Sequence, residues 1–552
     1  MKKLIIMSIA LLLLLSLVSC SDSTKFFISR LFYFDEVMYR INTDKKSYSV
    51  IGVGLYNDGK IEIQATYKGL PVTCIDSLES ERPLKKVIIP ESIDSFVKGT
   101  KLDVKWFEVS ENNEYFKSID GNIYSKDGTH LVRYASAKKD KSFTVPTHVT
   151  SVDDGAFAYS DYLEEINISN NVTWVGNFAF RNATNLNEIK IGRAVRGIAV
   201  NAFEKCVALK NIEVDSSNQY YRSIDGNLYS KDKKYIFKYA IGKSDIEFTI
   251  PEGVEYIDYE AFSYSENLQF VNIPDTVTNI DLSFRYAIGL KRISLPDSVV
   301  ELHDQSFMGC SSLESVVLGK GITNIGSYQF SNCESLVSVT MSPNVTTIEE
   351  GAFENCTSLR EISFYENLQS IEANAFGGCK SLESVVIPSS VEHMSYSAFS
   401  SCLSIKYFEV DANNANYKSI NGNLYTKDGK TLIQYAVGQD EKSFDVPKGV
   451  NKIADYAFYG NDSLVSITIP NTVTEIGYKA FGCCTALKSI SIPNSIHQFG
   501  IDEMLGGCES LERIDFGGTV NEWHTMQYGY CGIHMQKTTG FNIYCTDGVI
   551  NE

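Results

Sequence analysis

The chain has 552 residues and sets 50 Lys plus Arg against 68 Asp plus Glu, a formal net charge of −18. That balance argues against nucleic acid, whose binders place a positive surface against phosphates, and against loose attachment to anionic lipid through basic patches. An apolar fraction of 43%, with 12% aromatic, supplies a folded core and excludes wholesale disorder.

Residues 1–19 open on Met-Lys-Lys, run through apolar Leu4 to Leu15 and end on small residues, the pattern of a secretory signal. The run is too short for a comfortable bilayer span, which takes about 20 apolar residues. Leu17-Val18-Ser19-Cys20 resembles a bacterial lipobox. The resemblance implies that Cys20 becomes the acylated first residue of the mature protein. The expectation is an exported lipoprotein, tethered at one end to a membrane, with the outer membrane facing the cell exterior as the expected location.

Beyond this address the chain repeats. Anchoring phenylalanines recur at 157, 180, 203, 262, 284, 307, 330, 353, 376, 399, 458 and 481. Their spacing is 23 residues, with one step of 22 and two of 59. A fixed period in this range marks a solenoid and overrides any domain count from length. Nine of the 12 prolines occupy one place in the unit, where a missing N–H stops a strand. In the copy Leu464–Leu487, Leu464, Ile467 and Ile469 are expected to point inward from a short strand ended by Pro470. Val473 and Ile476 follow on a second extended segment, and Ala480-Phe481 on a turn or short helix whose ring caps the core.

This pattern closely resembles the BspA-like bacterial surface leucine-rich repeats. The resemblance implies 23-residue coils forming a parallel sheet. It places a signal peptide at 1–19, an opening segment at 20–83, the solenoid at 84–515 and a closing segment at 516–552. Lys60–Ile75 resembles the family's opening coil, although it lacks an Ala-Phe pair, and the coil around Pro90–Val97 is degenerate in the same way. Gly517–Trp523 with Cys545–Gly548 resembles the closing segment. A solenoid needs such ends to cover its last apolar face.

Both 59-residue steps equal one period plus 36, and the extra residues recur as three cassettes at 109–146, 214–251 and 410–447. Each holds an Asp-Gly or Asn-Gly between apolar positions, as in Ile119-Asp120-Gly121-Asn122-Ile123, a strong hairpin signal. The expectation is a small antiparallel meander protruding from the stack. Full EF-hand ligand spacing is absent, so these acidic glycines read as turn chemistry.

Of the 13 cysteines, seven follow the anchoring phenylalanine by three residues: Cys206, Cys310, Cys333, Cys356, Cys379, Cys402 and Cys484. Ser160, Ala183 and Ala287 share the slot, so it asks for small size, and buried free thiols are expected over disulfides. Zinc is disfavoured, because no Cys-x-x-Cys pair exists and adjacent Cys483-Cys484 is poor tetrahedral geometry. The seven histidines share no repeat slot, and no Gly-rich phosphate loop follows a strand. Glu165 and Glu188 sit one coil apart, more naturally a solvated face than an acid–base pair. The sequence therefore predicts no enzyme, no catalytic residues, no metal and no cofactor.

What remains is a surface. Ser315/Val317, Ser338/Thr340, Glu361/Ser363, Ser384/Val386, Ser466/Thr468 and Ser489/Ser491 are expected to face outward as a flat polar sheet. The family resemblance implies adhesion to host matrix, plasma or cell-surface proteins. A glycan-capturing lipoprotein of a nutrient-uptake system and a spacer without a dedicated ligand stay open beside it. Trp106, Tyr407 and Phe270 align in one outward slot next to the cassettes and are expected to pack against them, with partner contact as the alternative.

Overall fold

The computed structural model describes residues 37–54, 59–80, 82–499, 504–528 and 540–551. The lipobox with Cys20 lies outside the described residues. Two compact units divide the chain, one comprising Met1–Ser244 and Asp258–Tyr264, the other Asp245–Ile257 and Ser265–Glu552. Within each, coils stack through parallel pairing.

One coil of the second unit shows how its residues produce it. Ile467 is buried from the strand Ser466–Thr468 while Thr468 is exposed, the alternation of a half-buried strand. After Pro470 the chain turns, the Val473 N–H donating to the Pro470 carbonyl at 3.1 Å. The strand Glu475–Ile476 buries Ile476. Ala480-Phe481 sits on turns, with no helix, and Phe481 is fully buried. Coil-to-coil bonds continue even here: the Phe458 N–H reaches the Ala480 carbonyl at 2.8 Å, and the Phe353 N–H that of Ala375 at 2.7 Å. Coils are thus bonded to their neighbours along up to three columns, which satisfies backbone groups that a buried loop would leave unpaired.

Identical register places like on like. In the first unit Glu165 pairs with Glu188 and Glu188 with Asn211. In the second, Ser443, Ser466, Ser489 and Arg513 follow one another across the strands. The phenylalanines form a stack inside: Phe307, Phe330, Phe353 and Phe376 lie 5.3 Å apart, centroid to centroid, with planes about 10° from parallel.

The cassettes are antiparallel, as expected, but they do not protrude. In the first, Phe116–Ile119 pairs with Asn122–Ser125, which pairs with His130–Arg133, and that strand then runs parallel to Ser151–Val152. Ile123, Tyr124 and Leu131 are buried in the cores. The reason is a ring. Tyr134 takes the place of the anchoring phenylalanine and lies 5.5 Å from Phe157; Tyr239 lies 5.4 Å from Phe262, and Tyr435 5.0 Å from Phe458. Each cassette is therefore an enlarged coil with its own member of the ring stack.

A buried asparagine fixes the entry to each cassette. Asn218 donates to the carbonyls of Gly192 and Val195 at 3.0 and 2.9 Å, and accepts from the N–H groups of Tyr220 and Tyr221 at 2.8 Å. Asn113 and Asn414 repeat this pattern, and all three are fully buried. A second asparagine locks the exit: Asn122, Asn227 and Asn423 accept from the N–H groups of Ala135, Ala240 and Ala436.

The sheet of the second unit is not continuous. Residues 361–365 form no strand, so Glu361 and Ser363 are not outward strand positions. Phe364 stands there where neighbouring coils carry Met341 and Ile387, and its ring turns inward to lie 5.8 Å from Phe376. At the far end, the helix Val520–Tyr528 buries Trp523 against Phe516 at 5.2 Å, and Asn542–Tyr544 adds in parallel to Arg513–Phe516.

Candidate functional site

The first-strand sheets present the surface that the sequence singles out. Val317, Thr340, Val386 and Thr468 are exposed, with Ser315, Ser384 and Ser466 half-buried beside them. In the second unit this face carries a cleft of about 520 Å³ around Phe270, Asp275, Arg292, Ser315 and Val317. Parallel register creates it, because Phe270 pairs with Arg292 and Arg292 with Ser315. A half-buried ring, an exposed guanidinium and an exposed valine thus lie on three adjacent strands.

The glutamate pair is placed as the sequence predicts but is chemically satisfied. Lys190 Nζ lies 2.6 Å from Glu165 Oε1 and 3.9 Å from Glu188, and Asn211 donates to Glu188 at 3.0 Å. A carboxylate already held by a lysine and an amide is a structural ion pair, poorly suited to proton transfer.

The aromatic slot beside the cassettes is a packing slot. A Cβ added to Gly121 would lie 2.6 Å from the Trp106 ring, and one added to Gly422 3.1 Å from Tyr407 Cβ. The N–H groups of Phe107 and Phe408 donate to the Gly121 and Gly422 carbonyls at 2.9 and 2.7 Å. The turn tips rest on these side chains, and Lys138 lies 5.7 Å above the Trp106 ring. In the second cassette Asn211 takes the slot beneath Gly226. Phe270 packs under no such tip; it opens onto the cleft.

The cysteine slot is buried, and its cysteines form no disulfide among the described residues. All seven predicted residues are free thiols, and each Sγ donates to the carbonyl of the previous coil's phenylalanine at 3.0–3.3 Å. Sequence reasoning missed an eighth, Cys508, which bonds to Phe481 at 3.1 Å. Leu505 stands three residues before it in the phenylalanine's place, so the Ala-Phe signal is absent there. Burial pushes the Cys206 thiol up to about 12 and raises that of Cys356 as well. The turn aspartates are equally ordinary: Asp127 accepts from the Ser125 hydroxyl at 2.5 Å and from the Thr129 N–H at 3.0 Å. Among the described residues, no three His, Cys, Asp or Glu side chains gather into a metal-binding group.

The repeat has a match. The model of the BspA-type leucine-rich repeat region fits residues 133–234, 231–360, 281–406 and 438–541, with six copies. The chain belongs to the BspA-type leucine-rich repeat family. Membership places it among leucine-rich repeat proteins, a class whose general role is binding and which is typically non-enzymatic. No curated protein matches the chain. It is similar to a crystallised leucine-rich repeat protein from Eubacterium ventriosum, at 20% identity and a TM-score of 0.44, over 66% of this chain and 94% of that one. A leucine-rich repeat protein from Bacteroides ovatus matches at 22% identity and a TM-score of 0.38, over 92% and 98%. A leucine-rich cell surface protein from Faecalibacterium prausnitzii matches at 19% and 0.33, over 88% and 94%. Among the described residues of this BspA-type chain, no helix is long and apolar enough to cross a membrane.

Proposed function

We propose that this BspA-type protein is a surface lipoprotein, anchored through acyl groups on Cys20, that adheres to a host or cell-surface protein through its first-strand sheet face. The cleft at Phe270 and Arg292 carries the reading. Aromatic and arginine side chains are the residue types that dominate binding energy at protein interfaces, especially where packed surroundings exclude water. Here they stand on a rigid sheet among serines and threonines that add little side-chain ordering cost. The formal charge of −18 favours a partner with a basic surface, since opposite potentials speed encounter.

The test is a binding measurement of the chain from residue 20 onward against immobilised matrix and plasma proteins. Phe270→Ala with Arg292→Glu should weaken capture at least tenfold and leave the fold intact. Equal binding by the double variant would move the site elsewhere, and no protein bound by the parent chain would favour the spacer reading. Cys20→Ala should release the protein from membranes; continued membrane retention without N-terminal lipid would refute the anchor.

A further inference from the structure

The first unit holds another cleft, of about 470 Å³, on the column of short strands beside the first cassette. Register builds it. His130 pairs with Ser151, Ser151 with Trp174 and Trp174 with Gly197, so all four stand side by side across parallel strands. Trp174 is 46% exposed, large for an indole. Its ring is nonetheless fixed, because it lies over Gly197, where an added Cβ would come within 2.4 Å of the six-membered ring. The result is a rigid aromatic platform open to solvent. Phe96 and Phe116, in edge contact at 5.3 Å, form an apolar wall.

The polar side of the cleft is charged yet balanced. His130 Nδ1 lies 2.9 Å from Asp153 Oδ1, and Ser151 Oγ donates to that same oxygen at 2.9 Å. Lys98 Nζ lies 2.7 Å from Asp154 Oδ2, and the Asn177 N–H holds Asp154 Oδ1 at 2.7 Å. Arg133, 4% exposed, donates to the carbonyls of Asp154 at 2.5 Å and Val97 at 2.9 Å and lies 5.5 Å above Phe96. Its Nε–H has no acceptor among the described residues.

These facts restrict the ligand's chemistry. An anion would meet Asp153 and Asp154, and a cationic side chain seeking the indole face would meet Lys98 and Arg133. With two carboxylates against Lys98 and Arg133, the cleft has no net formal charge to favour either. A neutral ligand with hydroxyls on its edges and C–H bonds on its face meets both halves of the site. Carboxylate lone pairs and ammonium N–H groups remain free for the hydroxyls, and the indole serves the apolar face. The volume falls within the range of about 300–1,000 Å³ usual for small-molecule sites. The corresponding place two coils on from the third cassette strand is held by Glu475, next to Lys452, with no ring. In the second cassette's column the same place is held by Asn279, paired with Tyr256, so the indole itself is particular to the first cassette.

We infer that the cleft at Trp174, His130, Asp153 and Lys98 binds a neutral saccharide unit, stacked on the Trp174 indole. This goes beyond adhesion through the sheet face and uses none of its residues. Saturation-transfer NMR with the methyl glycosides of glucose, mannose, galactose and N-acetylglucosamine, at millimolar concentration, tests it on the chain from residue 20 onward. At least one glycoside should give transfer. Trp174→Ala should abolish the signal, Trp174→Phe should retain part of it, and Glu475→Ala and Phe270→Ala should leave it unchanged. Because Trp174 lies on the surface, unchanged circular dichroism and melting temperature in Trp174→Ala establish that the fold survives. Absence of transfer from all four glycosides, or equal transfer in Trp174→Ala, overturns the inference. So does a Trp174-dependent preference for a sulfated sugar or a lysine-rich peptide.

Discussion

The thiol of Cys356 donates to the carbonyl oxygen of Phe330, 3.2 Å away and 26 residues back in the chain. Seven more cysteines, from Cys206 to Cys508, make the same contact with the coil before, and those from Cys310 to Cys402 do so in consecutive coils. Burial pushes up the thiols of Cys206, to about 12, and of Cys333, Cys356 and Cys379. The folded protein at pH 8 should resist alkylation by iodoacetamide at all eight positions, because every one is buried away from the reagent, and the raised thiols also lack the reactive thiolate. Thiol counting in denaturant without reductant should find them free. Pairs blocked in that count would show disulfides between coils.

The ring stack should fail locally. Phe353 lies 5.3 Å from both Phe330 and Phe376 and is fully buried. Phe353→Ala should cost about 3–5 kcal/mol, the usual loss for a core phenylalanine. Neighbour-only contacts confine the damage. Hydrogen exchange should speed up around residues 330–376 while the coil at Phe481 keeps its protection.

Asn218→Ala removes four hydrogen bonds from a fully buried position. Each backbone group left unsatisfied costs about 1–3 kcal/mol, so the substitution should destabilise the second cassette by more than about 2 kcal/mol. Denaturant melts of the first unit's signals would measure it. A loss below about 0.5 kcal/mol would mean that water replaces the side chain at no cost.

Tyr407→Ala should loosen the third cassette and open the Asn421-Gly422 turn to proteolysis, while coils far from it stay intact. Trp106→Ala should do the same at Asp120-Gly121. Asn211→Ala should have the smaller effect, because no ring supports that turn. Normal protease resistance together with lost partner binding would make the slot a binding site instead.

Acid should undo the cassette turns first. The Ser125 hydroxyl and the Thr129 N–H favour the ionised form of Asp127 and bring its pKa from 3.8 to about 2. Asp232, through the Ser230 hydroxyl, and Asp428, through the Lys430 N–H, shift in the same direction. A depressed carboxylate contributes stability that is complete above its unfolded pKa and lost as pH falls through the folded value. Exchange protection at these turns should therefore be constant above about pH 5 and decline between pH 4 and 2. Asp127→Asn should flatten that decline in the first cassette.

Much of this was legible in the sequence because a repeat converts a long-range problem into a local one. The period of the phenylalanines and the proline positions determined the coil, the inward residues and the buried cysteine slot, since every unit must bury the same face against its neighbour. Departures from the signal hid what it would otherwise have shown. Leu505 concealed Cys508's place in the series, and Tyr134, Tyr239 and Tyr435 concealed that the cassettes are coils, because a tyrosine without the preceding alanine breaks the pattern while its ring still stacks. Two features belong to the tertiary structure alone. The strand is missing at 361–365, where Phe364, a hydrophobe like Met341 and Ile387 in the same slot, lies 5.8 Å from Phe376. Trp174 becomes a platform because Gly197, His130 and Asp153 come beside it across parallel strands, and Lys98 with Arg133 balances the charge. Those residues are up to 99 positions apart in sequence. Spacing fixes which residues face in; only the stacking of coils decides which outward side chains meet.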